Sequence, residues 1–347
     1  MIRIGVICPS EIASRRFMPA LLEKKEFIFS GVAVPTADEY FGFKHGDMEG
    51  VISCELAKAE EIISKFGGKL YRSYEEIVLS PDIDALYIPL PPALHYKWAK
   101  LSLENDKHVL IEKPATLNSG QTRELVSIAS ARSLALHENY MFVFHSQINQ
   151  INSIINNGEL GDIRLFRVSF GFPRRESNDF RYNKELGGGA LYDAGGYTIK
   201  YASMVLGKSA KIEYANMNYI NDFSVDVFGS GAMANDNGIT VQFAFGMDNC
   251  YRCDLEIWGS KGILTTDRIL TAPVGFVPNA KIKKANTEEK VVLKADDTFG
   301  NSIKFFNECI GNHDTRNESY ENIMRQASLA DEFIALANRE KQIFGNV

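Results

Sequence analysis

Arg3-Ile4-Gly5-Val6-Ile7-Cys8-Pro9-Ser10-Glu11-Ile12-Ala13 lies near the start of the chain and reads as a strand, a turn and the beginning of a helix. The same alternation continues outward from it. Apolar strand patterns at 2–7, 27–34, 84–89 and 108–112 alternate with helical patterns at 12–22, 55–66 and 95–104. In the second of these helices Leu56, Ala59, Ile62, Ile63 and Phe66 share one face. Strands separated by helices imply right-handed crossovers and a parallel sheet covered on both faces. Residues 37–53 interrupt the pattern with three glycines and mixed charge, and are expected to form a long loop.

Helical patterns at 119–131 and 143–156 follow, and beyond residue 160 the character changes. Strand patterns at 163–172, 211–219, 224–232, 238–245, 251–259 and 263–266 come at hairpin-like spacing, with one helix between them at 189–205. Helices at 301–310 and 320–339 close the chain. The expected architecture is α/β: a parallel-sheet domain over 1–120, then an α+β domain over 121–347 with a large, open, mostly antiparallel sheet.

The 347 residues suffice for two well-buried cores, and 45% hydrophobic with 24% charged residues is ordinary for a globular protein. A net charge of −6 without a concentrated basic surface argues against nucleic acid as a partner. The run Lys281-Ile282-Lys283-Lys284 reads as a solvated face. No stretch reaches the roughly 18 apolar residues of a membrane span. The first residues read as a strand, not a secretory signal, so a cytoplasmic location is expected. Five cysteines do not make a disulfide framework. Cys250 and Cys253 form a lone C-x-x-C in a strand pattern, where residues three apart face opposite ways, and no metal site is expected.

Two further stretches carry chemistry. Ile111-Glu112-Lys113-Pro114-Ala115 ends the strand pattern at 108–112, and Leu186-Gly187-Gly188-Gly189-Ala190-Leu191-Tyr192-Asp193-Ala194-Gly195-Gly196-Tyr197 leads into the helix at 189–205. An ammonium can stabilise a negatively charged oxygen, and a phenol can protonate one. On an α-helix Asp193 and Tyr197 share a face, which Lys200 continues.

Together the two stretches resemble the signature motifs of the Gfo/Idh/MocA oxidoreductases. Tyr197, where many relatives carry histidine, is similar to the branch of sugar ketoreductases, glucose–fructose oxidoreductase and dihydrodiol dehydrogenase. The resemblance implies an N-terminal Rossmann-type domain and NAD or NADP as cofactor. It implies hydride transfer at a sugar ketone or secondary alcohol, on a free or nucleotide-linked sugar. Lys113, Asp193 and Tyr197 are then the expected catalytic residues, with packing in a seam as the bland alternative for Tyr197. Cofactor contacts are expected from Cys8, Pro9, Ser10, Glu11 and Ile12 in the first turn. Thr36, the loop holding Pro89, Pro91 and His95, and Glu112 with Lys113 complete that set. Substrate contacts are expected from His145, Arg181 and Lys200, with a structural role as the alternative for His145.

The first turn departs from the G-x-G-x-x-G/A fingerprint: Cys8 and Ser10 stand where glycines are usual, and only Ala13 conforms. This favours a non-catalytic dinucleotide sensor as the rival reading, against which Lys113, Asp193 and Tyr197 argue. Apolar residues of 239–245 and 255–258 predict a homodimer or homotetramer assembled through the second sheet.

Overall fold

The computed structural model describes residues 1–40 and 48–344. The chain forms two compact units, Met1–Asn139 with Phe299–Arg325, and Tyr140–Thr298 with the chain from Gln326 onward.

The first unit runs β1 (Ile2–Ile7), α1 (Met18–Leu22), β2 (Phe27–Ala33), α2 (Met48–Phe66), β3 (Lys69–Tyr71), α3 (Tyr74–Leu79), β4 (Ala85–Ile88), α4 (Pro92–Glu104), β5 (His108–Ile111), α5 (Ser119–Ala131) and β6 (Leu136–Glu138). Its six strands pair in parallel in the order β3-β2-β1-β4-β5-β6. The order reverses between β1 and β4, the place where open α/β sheets bind ligands at their carboxyl ends. Ile7, Ile88, Val109 and Ile111 meet Leu94, Trp98 and Leu125 in one core. Tyr74 sets its ring edge-on to Trp98, with centroids 5.2 Å apart.

This unit extends past the expected boundary at residue 120. β6 adds a sixth strand beside β5, which draws α5 with it. β3, α3 and β6 are too short for their periodicity to register in sequence. α2 begins at Met48, inside the expected loop 37–53; residues 41–47 of that loop lie outside the described residues.

The second unit contains α6 (Ser146–Asn156), β7 (Ile163–Gly171), α7 (Gly196–Leu206), β8 (Lys211–Tyr219), β9 (Asp226–Ala234), β10 (Thr240–Gly246), β11 (Arg252–Gly259), β12 (Ile263–Asp267), β13 (Asn279–Lys284) and β14 (Thr287–Val292). These eight strands form one sheet, β14-β13-β12-β11-β7-β10-β9-β8. Every pairing is antiparallel except β7 with β10. Alternation sends Phe166, Val168, Val241, Phe243, Phe245, Leu255 and Ile257 to the buried face. The opposite face carries Arg167, whose guanidinium bonds Glu256 at 2.8 Å and Gln242 at 3.2 Å. β13 and β14 gave no strand pattern in the sequence because charged residues dominate them; of the Lys281–Lys284 run, Lys281 and Lys283 face solvent while Ile282 is buried. Cys253 is buried in β11 while Cys250 is exposed before it, so the two thiols do not form a pair.

α8 (Thr298–Gly311) and α9 (His313–Phe344) end the chain. From α8, Ser302 enters a buried chain of hydrogen bonds in the first unit. Its hydroxyl donates to Asn139 Oδ1 at 2.8 Å and lies 3.0 Å from His137 Nε2. Asn139 in turn donates to Glu112 Oε1 at 2.7 Å, and Tyr87 donates to the same oxygen at 2.6 Å. Removing one member strands its partners without water. Ser302→Ala should therefore lower the unfolding free energy by about 1–3 kcal/mol in urea titration; a loss below about 0.5 kcal/mol would show that the network adds nothing.

Candidate active site

At the end of β1 the chain turns at Cys8, whose φ is 85°, a left-handed value usually filled by glycine. Cys8 thus supplies the tight turn despite its side chain. Its N–H donates to the Ala33 carbonyl at 3.2 Å. Burial first, and the Glu55 carboxylate second, push the thiol up to about 12, so it stays protonated at neutral pH. Ser10 Oγ accepts the Ala13 N–H at 3.2 Å, and a π-helical turn over Ala13–Phe17 leads into α1. Glu11 turns outward to Arg15 at 3.1 Å, which takes its charge away from the N–H groups of the helix start. A left-handed turn, a helix N-terminus and a switch point are the parts that hold a pyrophosphate. Cys8, Pro9, Ser10 and Ile12 fit a dinucleotide at this turn.

Past β2, the Thr36 N–H donates to Glu39 Oε2 at 2.8 Å. The buried Glu39 carboxylate also accepts from the N–H groups of Tyr74 (2.9 Å) and Glu75 (3.0 Å) at the start of α3. Asp38 stays exposed. Sequence reasoning passed over Glu39, because two of its three partners lie some 35 positions along the chain.

After β4, Pro89 is buried, and Pro91 and Pro92 start α4 at its end. His95 was expected to contact cofactor, but the structure gives it other partners. It is fully buried, with Nδ1 2.7 Å from the Pro114 carbonyl and Nε2 2.7 Å from the Leu90 carbonyl. Two carbonyl acceptors favour the protonated ring, yet burial, aided by the Lys113 charge, outweighs them and pushes it down to about 4. Beyond β5, Glu112 is buried under Tyr87 and Asn139, and burial raises its carboxyl above the ordinary value. Lys113 is half-buried beside it, and the Lys113–Pro114 peptide is cis. The Ala115 N–H donates to Glu138 at 2.8 Å, fixing the far side of this turn.

In the second unit the glycine triplet is a seat for close packing. A Cβ on Gly188 would stand 2.4 Å from the Arg181 carbonyl oxygen, and one on Gly189 (φ 125°) 2.3 Å from an Asp226 oxygen. Asp226 accepts the Leu191 N–H at 2.7 Å and so anchors the π-helical turn Leu191–Gly195 that carries Asp193. Asp193 stands in this wider π turn and Tyr197 in the first turn of α7. Asp193 pairs with Arg181, Nε to Oδ2 at 2.7 Å, and Arg181 also bonds Asp179 at 3.1 Å. Burial opposes the guanidinium charge, but the two carboxylates outweigh it and raise its pKa further. Arg181 is thus engaged within the protein as an orienting group for Asp193.

Tyr197 is buried among Tyr140 (5.2 Å, edge-on), Phe170 (5.3 Å) and Phe142 (5.9 Å), with its hydroxyl 3.7 Å from Met141 Sδ. Lys200 Nζ lies 5.9 Å from the Tyr140 ring. His145 caps α6, its Nδ1 accepting the Gln147 N–H at 3.1 Å, and burial lowers its pKa. With Nδ1 as acceptor the proton sits on Nε2, which has no hydrogen-bond partner among the described residues.

Residues 2–140 match the model of an oxidoreductase family with an NAD-binding Rossmann fold, and residues 148–265 match the GFO/IDH/MocA C-terminal domain. The chain belongs to the Gfo/Idh/MocA family of nicotinamide-dependent oxidoreductases, and it is an enzyme acting on CH–OH groups. It is 34% identical over 330 residues to dTDP-3,4-didehydro-2,6-dideoxy-alpha-D-glucose 3-reductase of Actinomadura kijaniata, covering 95% of this chain and 94% of the relative. To the enzyme of the same name from Streptomyces violaceoruber it is 34% identical over 310 residues, covering 89% and 85%. Its fold matches the crystal structure of a 3-ketoreductase from Actinomadura kijaniata in complex with NADP and TDP-benzene, with a TM-score of 0.88 at 34% identity over 96% of this chain and 97% of that one.

Asp226 gives this site a pH dependence. Burial raises its carboxyl to about 6 from an ordinary 3.8, so ionisation is less favourable in the fold than in the open chain. Its contribution to stability is complete below the ordinary value and is lost as pH rises through about 6. Asp226→Asn keeps an acceptor for the Leu191 N–H without the charge. Thermal unfolding between pH 4 and 7 should decline less with rising pH in the variant than in the wild type; identical slopes would reject this account.

Proposed function

We propose that this oxidoreductase reduces the C3 ketone of a deoxysugar linked to thymidine diphosphate, with NADPH as donor. One observation carries the reading. The Actinomadura kijaniata 3-ketoreductase has been solved with a lysine replaced by alanine and, separately, with a tyrosine replaced by phenylalanine. Those two residues stand the same number of positions apart as Lys113 and Tyr197 do here.

Bound NADPH supplies the hydride to the carbonyl carbon. The residues that would hold it are Cys8, Pro9, Ser10 and Ile12 in the first turn, Thr36, the Pro89–Pro91 loop, and Glu112 with Lys113. Engagement of Glu39 by three backbone N–H groups supports NADP over NAD, since an acidic side chain at this strand end otherwise bonds the ribose hydroxyls. The Lys113 ammonium stabilises the alkoxide oxygen, and the Tyr197 phenol delivers its proton. Asp193, oriented by Arg181, holds a neighbouring hydroxyl, with His145 and Lys200 on the substrate side.

No helix among the described residues is long and apolar enough to cross a membrane. We place the enzyme in the cytoplasm, a reading supported by its five free cysteines. A homodimer or homotetramer through the outer face of the eight-stranded sheet is supported by Trp258, Tyr214 and Phe228, which are 48%, 44% and 42% exposed.

Tyr197→Phe should cut kcat with NADPH and the dTDP-linked 3-keto sugar by roughly 10²–10⁴-fold, with little change in KM. Lys113→Ala should leave only residual turnover yet retain NADPH binding by fluorescence titration, and near wild-type rates in both variants would reject the site. In light scattering at micromolar concentration the protein should exceed the 38.8 kDa of one chain; a monomer alone would reject the assembly.

A further inference from the structure

His95 is wholly buried in the first turns of α4. Its two ring nitrogens each lie 2.7 Å from a backbone carbonyl oxygen, that of Leu90 on one side and that of Pro114 on the other. Leu90 belongs to the turn after β4, and Pro114 follows Lys113 in the turn after β5. β4 and β5 are adjacent, with Ile88 opposite Ile111 as their last pair, so the ring bridges the two turns just beyond the end of the ladder. A carbonyl outside the ladder needs a donor from elsewhere; the neutral ring has one N–H, and with the proton on Nδ1 it donates to the Pro114 carbonyl.

The geometry points to His95 as the positioning residue for Lys113: its ring N–H, given to the Pro114 carbonyl, ties the turn that carries Lys113 to the start of α4, and so fixes where the ammonium stands. This role rests on the reading of Lys113 as the group at the substrate oxygen. Two observations support it besides the contacts. Lys113 is close enough for its charge to depress the ring, and the buried ring has no solvent to share its proton with. Glu138 holds the following residue, Ala115, at 2.8 Å, so the turn is pinned on both sides of Lys113-Pro114.

A double-mutant cycle in the full-length enzyme separates positioning from mere packing. His95→Phe keeps a ring and removes both polar contacts, while His95→Gln keeps an amide donor. Each is measured alone and with Lys113→Ala, using NADPH and dTDP-3,4-didehydro-2,6-dideoxy-alpha-D-glucose as the probe and following NADPH absorbance. His95→Phe should lower kcat by roughly 10- to 100-fold, the scale of a small misplacement of a reacting group. NADPH binding and sugar KM should stay within about threefold, and His95→Gln should recover part of the rate. In the Lys113→Ala background the same change should cost less than about twofold, because the group being positioned is gone. An equal loss in both backgrounds overturns the positioning role and leaves that of Lys113 intact. A wild-type kcat in Lys113→Ala overturns both. Should His95→Phe fail to fold, His95→Gln takes its place in the cycle, and the same two results overturn the proposal.

Discussion

Parallel pairing of β1 with β4, Ile4 to Val6 against Ala85 to Tyr87, is the constraint on which the first unit depends. Parallel strands cannot be joined by tight turns, so each connection crosses over through helix and returns to the same edge. The carboxyl ends of β1, β4 and β5 therefore open together. The Cys8 turn, the Pro89–Pro91 loop and Glu112-Lys113 become neighbours of one edge although the sequence scatters them. The buried bonds beneath, from Tyr87 and Asn139 to Glu112, hold that edge from below.

In the second unit the corresponding constraint is backbone approach. Gly188 and Gly189 let the chain come within reach of the Arg181 carbonyl and of Asp226, where any Cβ would collide. With the chain seated there, Asp226 caps the Leu191 N–H and Arg181 reaches Asp193. The glycines thus matter through what they admit beside them. π turns are frequent at functional sites, and among the described residues there is one in each unit, at Ala13–Phe17 and Leu191–Gly195.

The departures at the first turn have a consistent physical account. Cys8 adopts the left-handed conformation that glycine would, with its thiol buried and protonated. Glu11, expected among the cofactor contacts, faces solvent beside Arg15. The turn is an altered version of the fingerprint that keeps its backbone shape, and nothing in it requires a sensor.

Sequence alone determined the alternation of strand and helix, the change to a mainly antiparallel sheet and the family, and it singled out Lys113, Asp193 and Tyr197 as candidates. These are legible because periodicity and short motifs are local. It also placed the start of α5, which Asn118 caps. Tertiary structure alone decided the partners. His95 turned from cofactor to backbone carbonyls, Arg181 found Asp193 as its partner, and Glu39 and Asp226 emerged as buried carboxylates holding N–H groups. The parallel β7–β10 pair, the sixth strand that moved the unit boundary, and Ser302 reaching Asn139 belong to the same class. Each joins residues far apart in the chain, and a side chain's partner is chosen by where folding leaves unsatisfied donors and acceptors, which no local pattern encodes.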